Sequence, residues 1–313
     1  MSPGRDNFIK LILGQEKISN RFHPLELITD KGNFSILIKC SDSSFKKEVA
    51  LKFFDPLQKN DEYRLRCFHR EAKILERFKG QDNIIELIEG LSSHEILLKD
   101  SVSGAELSFN YEYIVLELAE SDIQEYIYNG EDEEDALKKL ECFRELCKAV
   151  NRIHRQNTVH RDLKPDNFVI CDGDVKLSDL GTAIVLNESN PILSEYFSPV
   201  GHGGYVAPEL LCEIGIRDIY TFKADIFSLG AILFEMFTKT MLTGKIYNQN
   251  FIQELLGLRL LMSHTKNKSE RVKFFNENID SVVSSLRLPD IFAFNNFVPN
   301  SIKNNLNKLY KEI

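Results

Sequence analysis

No stretch of this chain approaches the roughly 20 consecutive apolar residues that a membrane-spanning helix needs. The longest candidate, Phe227–Phe237, is short and carries Ser228, Gly230 and Glu235. At the N-terminus Arg5 and Lys10 are not followed by a long apolar core, which argues against a secretory signal peptide. Paired cysteines are also lacking. Cys40, Cys67, Cys142, Cys147, Cys171 and Cys212 show no C-x-x-C spacing. The expectation is therefore free thiols in a reducing cytoplasm, not a zinc site or disulfides. There is no basic excess either: 39 Lys and Arg stand against 47 Asp and Glu, a net charge of −8. That argues against broad nucleic-acid binding. Internal repeats and low-complexity tracts are absent.

What is present is enough for a sizeable core. The 313 residues are 43% hydrophobic and 27% charged, a globular composition that suits one large or two small domains. Phe34–Cys40 and Val49–Phe54 read as strands joined by the polar turn Ser41–Lys47. A helix is expected over Glu62–Phe78, because Leu65, Phe68, Ala72, Leu75 and Phe78 recur at helical spacing and Gly80 comes next as a C-cap. Strand-like runs return at Ile84–Ile88, Glu95–Lys99 and Tyr111–Leu118. After Ala119 the texture turns helical. The acidic run Glu131–Asp135 has two readings, a dock for a basic partner or a solvated helix N-terminus; the helix dipole favours the second. Phe222–Phe237 is apolar on nearly all sides and reads as a buried helix. Residues 1–24 form a mixed extension whose apolar stretch, Phe8–Leu13, either packs on the body or serves as a contact arm.

One segment is chemically dense. Residues 160–167 read His-Arg-Asp-Leu-Lys-Pro-Asp-Asn. Asp162 offers a carboxylate to a hydroxyl proton, Lys164 an ammonium to phosphate charge, and Asn167 an amide oxygen to a hard cation such as Mg²⁺. Other motifs stand in order along the chain. Val49-Ala50-Leu51-Lys52 lies on the second strand-like run, and Glu71 lies 19 residues later on the helix. Asp179-Leu180-Gly181 begins 17 residues after Asp162. Ala207-Pro208-Glu209 and Asp225-Ile226-Phe227-Ser228-Leu229-Gly230 come next.

In this order the motifs resemble the eukaryotic-like Ser/Thr protein kinases, over roughly residues 25–310. The resemblance implies an α+β, bilobal fold: an N-terminal extension (1–24), a small antiparallel-sheet lobe with one main helix (25–119) and a larger, mostly helical lobe (120–313). It implies ATP and Mg²⁺ as cofactors and transfer of the γ-phosphate to a protein Ser or Thr. By resemblance Asp162 is the base, and Lys52, Glu71 and Lys164 are the other catalytic side chains. Asn167 and Asp179 are the metal ligands. Nucleotide binding is implied for Lys52, Gly32, Leu37, Ala50, Leu116, Glu117, Ala119, Asp122 and Val169. Asp122 has a second reading, as a helix N-cap. Asp225 is implied to hold the catalytic-loop backbone. Lys164 points to Ser/Thr rather than Tyr acceptors. Arg161 is of the kind that recruits a phosphate in the activation segment, with Thr182, Ser189, Ser194, Tyr196 and Ser198 as acceptors, so autophosphorylation is a further expectation. No nucleic-acid or membrane partner is expected.

Three departures keep alternatives open. The glycines of the family's phosphate loop fall at Asp30, Gly32 and Ser35, so one of three remains, with Phe34 at the tip. A glycine-poor loop restricts close backbone approach to phosphate. His202 stands where the family has Thr. The chain stops after the helix expected at Ser301–Ile313, which implies a truncated large lobe without its last helix. Glu209 then needs another cation, with Arg259 and Arg271 as candidates. The alternative to a kinase is a pseudokinase scaffold or regulatory binding module; a third reading is a kinase-fold enzyme acting on something other than protein.

Overall fold

The structure is a computed structural model and describes residues 4–30, 34–99, 104–130, 132–186, 203–207, 210, 212, 219–246, 250–265, 267–291, 298 and 300–312. The chain divides into two compact units, Met1–Ser121 with Val169–Gly181, and Asp122–Phe168 with Thr182–Ile313.

The first unit is built on a five-stranded antiparallel sheet. Its strands are β1 (Phe22–Thr29), β2 (Ser35–Asp42), β3 (Lys47–Phe54), β4 (Leu87–Lys99) and β5 (Glu106–Glu117), in the order β1-β2-β3-β5-β4. Directly paired residues of antiparallel strands share a face. Lys52 pairs with Leu37 and Ile114, and Ala50 with Lys39 and Leu116, so these residues line one face. Ile36, Ile38, Val49, Leu51, Phe53, Tyr113 and Val115 line the other and form a core with the helix α1 (Arg5–Leu13). Phe8 and Ile12 of α1 are fully buried there, and the Phe8 ring lies 5.6 Å from Phe53 and 4.8 Å from Tyr111. The apolar stretch Phe8–Leu13 thus packs on the sheet.

Helix α2 (Glu62–Arg77) starts where Asp61 accepts a hydrogen bond from Arg64 N at 3.0 Å. Phe68, Glu71, Ala72 and Leu75 are on its buried side. The C-cap is Phe78, not Gly80 as the spacing suggested; Gly80 lies two residues further on with φ +70°, a left-handed turn that favours glycine. Two strand readings need correction. The expected runs Ile84–Ile88 and Glu95–Lys99 are largely one strand, because the polar stretch Ser92-Ser93-His94 pairs continuously with β5. β1 begins at Phe22, inside the stretch read as an extension, and much of it is solvent-facing.

The second unit is mainly helical. Helix Glu133–His154 opens with a capping box between Asp132 and Asp135 and carries Glu133, Glu134 and Asp135 in its first turn. The acidic run is thus a helix N-terminus, apart from Glu131, which lies outside the described residues. Helix Ile219–Thr238 contains the buried residues Ala224, Asp225, Ser228, Leu229, Ile232 and Leu233. The terminal helix Asn300–Glu312 stacks Tyr310 on Phe234, ring centroids 5.8 Å apart. Helices Asn250–Ser263 and Lys268–Ser285 share a separate cluster of Phe251, Leu255, Leu258, Met262 and Phe275. No helix among the described residues is long and apolar enough to cross a membrane.

Candidate active site

The first unit contributes a buried charge cluster. Lys52 points from the middle of β3 toward α2, and its Nζ lies 2.7 Å from both carboxylate oxygens of Glu71. The same ammonium lies 3.1 Å from Asp179 Oδ1. Lys52 is 5% exposed and Glu71 is fully buried, whereas the Asp179 side chain is 39% exposed. Burial pushes the Glu71 carboxyl up, to about 7, against the opposing charge of Lys52. Burial acts to lower the Lys52 pKa, but the charges of Asp179 and Glu71 outweigh it and hold the ammonium protonated. Two acidic side chains thus share one cation, and the outer one, Asp179, stays half-open to solvent.

The segment around Asp179 is held in an unusual conformation. Asp179 has φ +55°, a left-handed geometry that costs a non-glycine residue about 1–3 kcal/mol. Arg70, next to Glu71 on α2, anchors the backbone two residues further on: its Nε and Nη2 donate to the Gly181 carbonyl at 3.0 and 2.7 Å. Gly181 lies close under the Phe34 ring: a Cβ there would stand a tight 3.3 Å from the ring's far end and at an ordinary 3.6 Å from the Cys67 carbonyl.

The sheet face around Lys52 is apolar. Ala50 and Leu116 are buried there and Leu37 is half-buried; Val169, on the strand Phe168–Cys171 of a separate sheet, is also half-buried. Glu117 N donates to Glu86 O at 3.0 Å, and the Glu117 carboxylate accepts from Glu86 N at 2.7 Å. Lys176 closes this network with Nζ contacts of 2.8 and 2.7 Å to the two Glu117 oxygens. Ala119 is half-buried beyond it. Gly32 lies outside the described residues.

In the second unit the loop 160–167 is pinned from below. Asp225, fully buried, accepts from His160 N and Arg161 N, each at 2.8 Å, and its Oδ2 lies 2.8 Å from His154 Nε2. Arg161 has φ +70°, and its guanidinium bonds the Thr182 carbonyl through Nε at 2.8 Å and through Nη2. Thr182 Oγ1 returns a bond to His160 O at 3.0 Å. Asn167 Nδ2 donates to Asp162 O at 2.7 Å, which commits the amide nitrogen inward and assigns the amide oxygen to the opposite side. Asp162 is half-buried, and Lys164 lies 3.9 Å from Asp166. Asp122 Oδ1 accepts from Gln124 N at 2.8 Å, but the N-cap of the helix Gln124–Tyr128 is Ile123, not Asp122, and no side chain caps it. Glu235, 2% exposed, accepts from the hydroxyls of Tyr128 (2.9 Å) and Tyr205 (2.5 Å).

Lys176, Arg70 and Phe34 have roles that the sequence does not signal. Each acts on a residue far away in the chain, so local spacing holds no trace of it. His202, Ser189, Ser194, Tyr196, Ser198 and Glu209 lie outside the described residues.

The oxygen donors Asp179 and Asn167 suit a hard cation, and the ammoniums of Lys52 and Lys164 suit phosphate. The model of the protein kinase domain matches residues 28–291. Serine/threonine-protein kinase MPS1 of Encephalitozoon cuniculi is 32% identical over 177 residues, 56% of this chain and 27% of the relative. Extracellular signal-regulated kinase 1 of Candida albicans (strain WO-1) is 27% identical over 292 residues, 89% of this chain and 63% of the relative. Mitogen-activated protein kinase 19 of Arabidopsis thaliana is 28% identical over 288 residues, 90% of this chain and 44% of the relative. The chain thus spans from about a quarter to just under two thirds of the length of these relatives. With a kinase-domain match over most of its length and this buried Lys–Glu–Asp cluster, the chain belongs to the protein kinase family.

Proposed function

We propose that this chain is a Ser/Thr protein kinase that uses ATP and Mg²⁺ and acts on a hydroxyl of a protein substrate. The observation that carries the reading is the buried Lys52–Glu71 pair with Asp179 at 3.1 Å from the same ammonium. An isolated lysine–glutamate pair at this depth is costly in desolvation. It gains a purpose if Lys52 is held ready for phosphate oxygens. When bound, ATP supplies the transferable phosphoryl group and Mg²⁺ offsets the charge on its phosphates.

The chain's own residues divide the remaining work. Lys52 grips phosphate oxygens and Glu71 keeps its ammonium in place. Asp179 and Asn167 supply the metal's protein oxygens. Asp162 orients the acceptor hydroxyl and takes its proton, while Lys164 meets the transferring phosphoryl charge. Leu37, Ala50, Leu116 and Val169 provide apolar surface for adenine, with the backbone of Glu117 and Ala119 as its polar edge and Asp122 for the ribose. Lys164 and the Ser/Thr kinases among the relatives support a Ser/Thr acceptor.

Asp30 and Ser35, standing where the family has glycines, favour a second reading as a binding module with weak or no transfer. Transfer of labelled γ-phosphate to protein, with Asp162→Asn as control, separates the two. Mg²⁺-dependent nucleotide binding without any Asp162-dependent transfer would leave the scaffold reading standing.

A further inference from the structure

Helix α1 lies on the sheet face opposite Lys52, yet its first residue reaches the stem of the phosphate loop. Arg5 Nε lies 3.0 Å from Asp55 Oδ2, an ion contact rather than an aligned hydrogen bond, and Arg5 Nη2 donates to the Ser35 carbonyl at 3.4 Å. Asp55 is 2% exposed. Its Oδ1 accepts from Leu57 N at 2.9 Å, and its own N–H donates to the Phe34 carbonyl at 2.9 Å. Arg5 and Asp55 together therefore hold two successive carbonyls, Phe34 and Ser35. The Phe34 ring in turn lies against Gly181, two residues after Asp179. A continuous set of contacts runs from α1 through the stem to the segment carrying the candidate metal ligand.

We propose that Arg5 is a positioning residue for nucleotide binding, acting through Asp55 on the Phe34–Ser35 stem. The inference rests on the nucleotide-binding reading above. A loop with Asp30 and Ser35 in place of glycine adapts poorly to phosphate, so a stem fixed in advance lowers the ordering cost of binding. The guanidinium suits this role because its planar fork reaches a carboxylate and a carbonyl together, which a single ammonium does not.

The test uses the full chain. Mg²⁺-dependent binding of N-methylanthraniloyl-ATP, the KM for ATP, kcat on a generic protein acceptor and the melting temperature are measured for wild type, Arg5→Lys, Arg5→Gln and Asp55→Asn. Arg5→Lys keeps a charge beside buried Asp55 and so keeps the fold. Its Kd and KM for nucleotide should rise about threefold to tenfold with kcat unchanged. Arg5→Lys and Asp55→Asn together should cost less than the sum of their separate effects. A variant whose melting temperature falls while nucleotide Kd stays at the wild-type value overturns the positioning role and makes Arg5 purely structural. A wild-type chain that binds no nucleotide overturns the proposed function, and this inference with it.

Discussion

At the scale of single residues, the site separates groups that do chemistry from groups that hold them. Asp162 is half-buried, and the proposed mechanism puts it in the first kind. Asp162→Asn should lower the transfer rate by about 10²–10⁴, with a melting temperature near wild type; a variant that transfers at the wild-type rate would remove Asp162 from the mechanism. Glu71 belongs to the second kind. Its pKa is raised from 4.5 to about 7 by burial, so its charged form is disfavoured in the folded state. Linkage sets the sign: its contribution to stability is full below about 4.5 and is lost as pH rises through about 7. Melting temperature should therefore depend less on pH across that window in Glu71→Gln than in wild type, and equal slopes would contradict the buried assignment. Burial also holds the Cys40, Cys142 and Cys171 thiols up at about 12 and Cys147 at about 11. These four should resist iodoacetamide at pH 8 until the chain is unfolded, as peptide mass mapping would report.

At the scale of elements, α1 is the segment whose importance the sequence concealed. Phe8, Ile9 and Ile12 are buried against β2, β3 and β5. At ~1.5–3 kcal/mol for each buried side chain, their combined contribution is a large part of a domain's ~5–15 kcal/mol. Deleting residues 1–14 should bring the urea midpoint down steeply or abolish folding; an unchanged midpoint would mean the sheet face needs no cover. In sequence these three residues form a short apolar stretch that suits either a packed helix or a free arm. The hidden strands have similar reasons. β1 exposes much of its length and contains Pro24, and β4 carries Ser92, Ser93 and His94 in its middle. Neither has the clean alternation that marks a half-buried strand, and both are edge strands defined by one neighbour.

At the scale of the whole molecule, nucleotide and metal should act together. Ligand at 100 times its Kd stabilises the fold by about 2.7 kcal/mol. ATP with Mg²⁺ should therefore raise the melting temperature, and the Mg²⁺-dependent part of the rise should vanish in Asp179→Ala. A shift equal with and without Mg²⁺ would sink Asp179 as a metal ligand. The two compact units divide the candidate residues: Lys52, Glu71 and Asp179 belong to the first, and Asp162, Lys164 and Asn167 to the second.

By itself the sequence determined which motifs are present and their order along the chain. Phosphoryl transfer needs particular side chains at short, fixed spacings within loops and strands, so His160–Asn167, Val49–Lys52 and Asp179–Gly181 are legible without coordinates. So are α2 and the helix over Phe222–Phe237, whose apolar periodicity is local. Only the tertiary structure decided what holds these residues. Asp225 under the catalytic loop, anticipated by resemblance, acquired its bonds to His160 and Arg161 there. Lys176 on Glu117, Arg70 on the Gly181 carbonyl and Arg5 on Asp55 had no such warning. Charge pairs and carbonyl anchors of this kind join residues 50 or more positions apart (59, 111 and 50 here). No local pattern records such a pairing, because it exists only once a sheet and a helix have packed and brought the partners within about 3 Å.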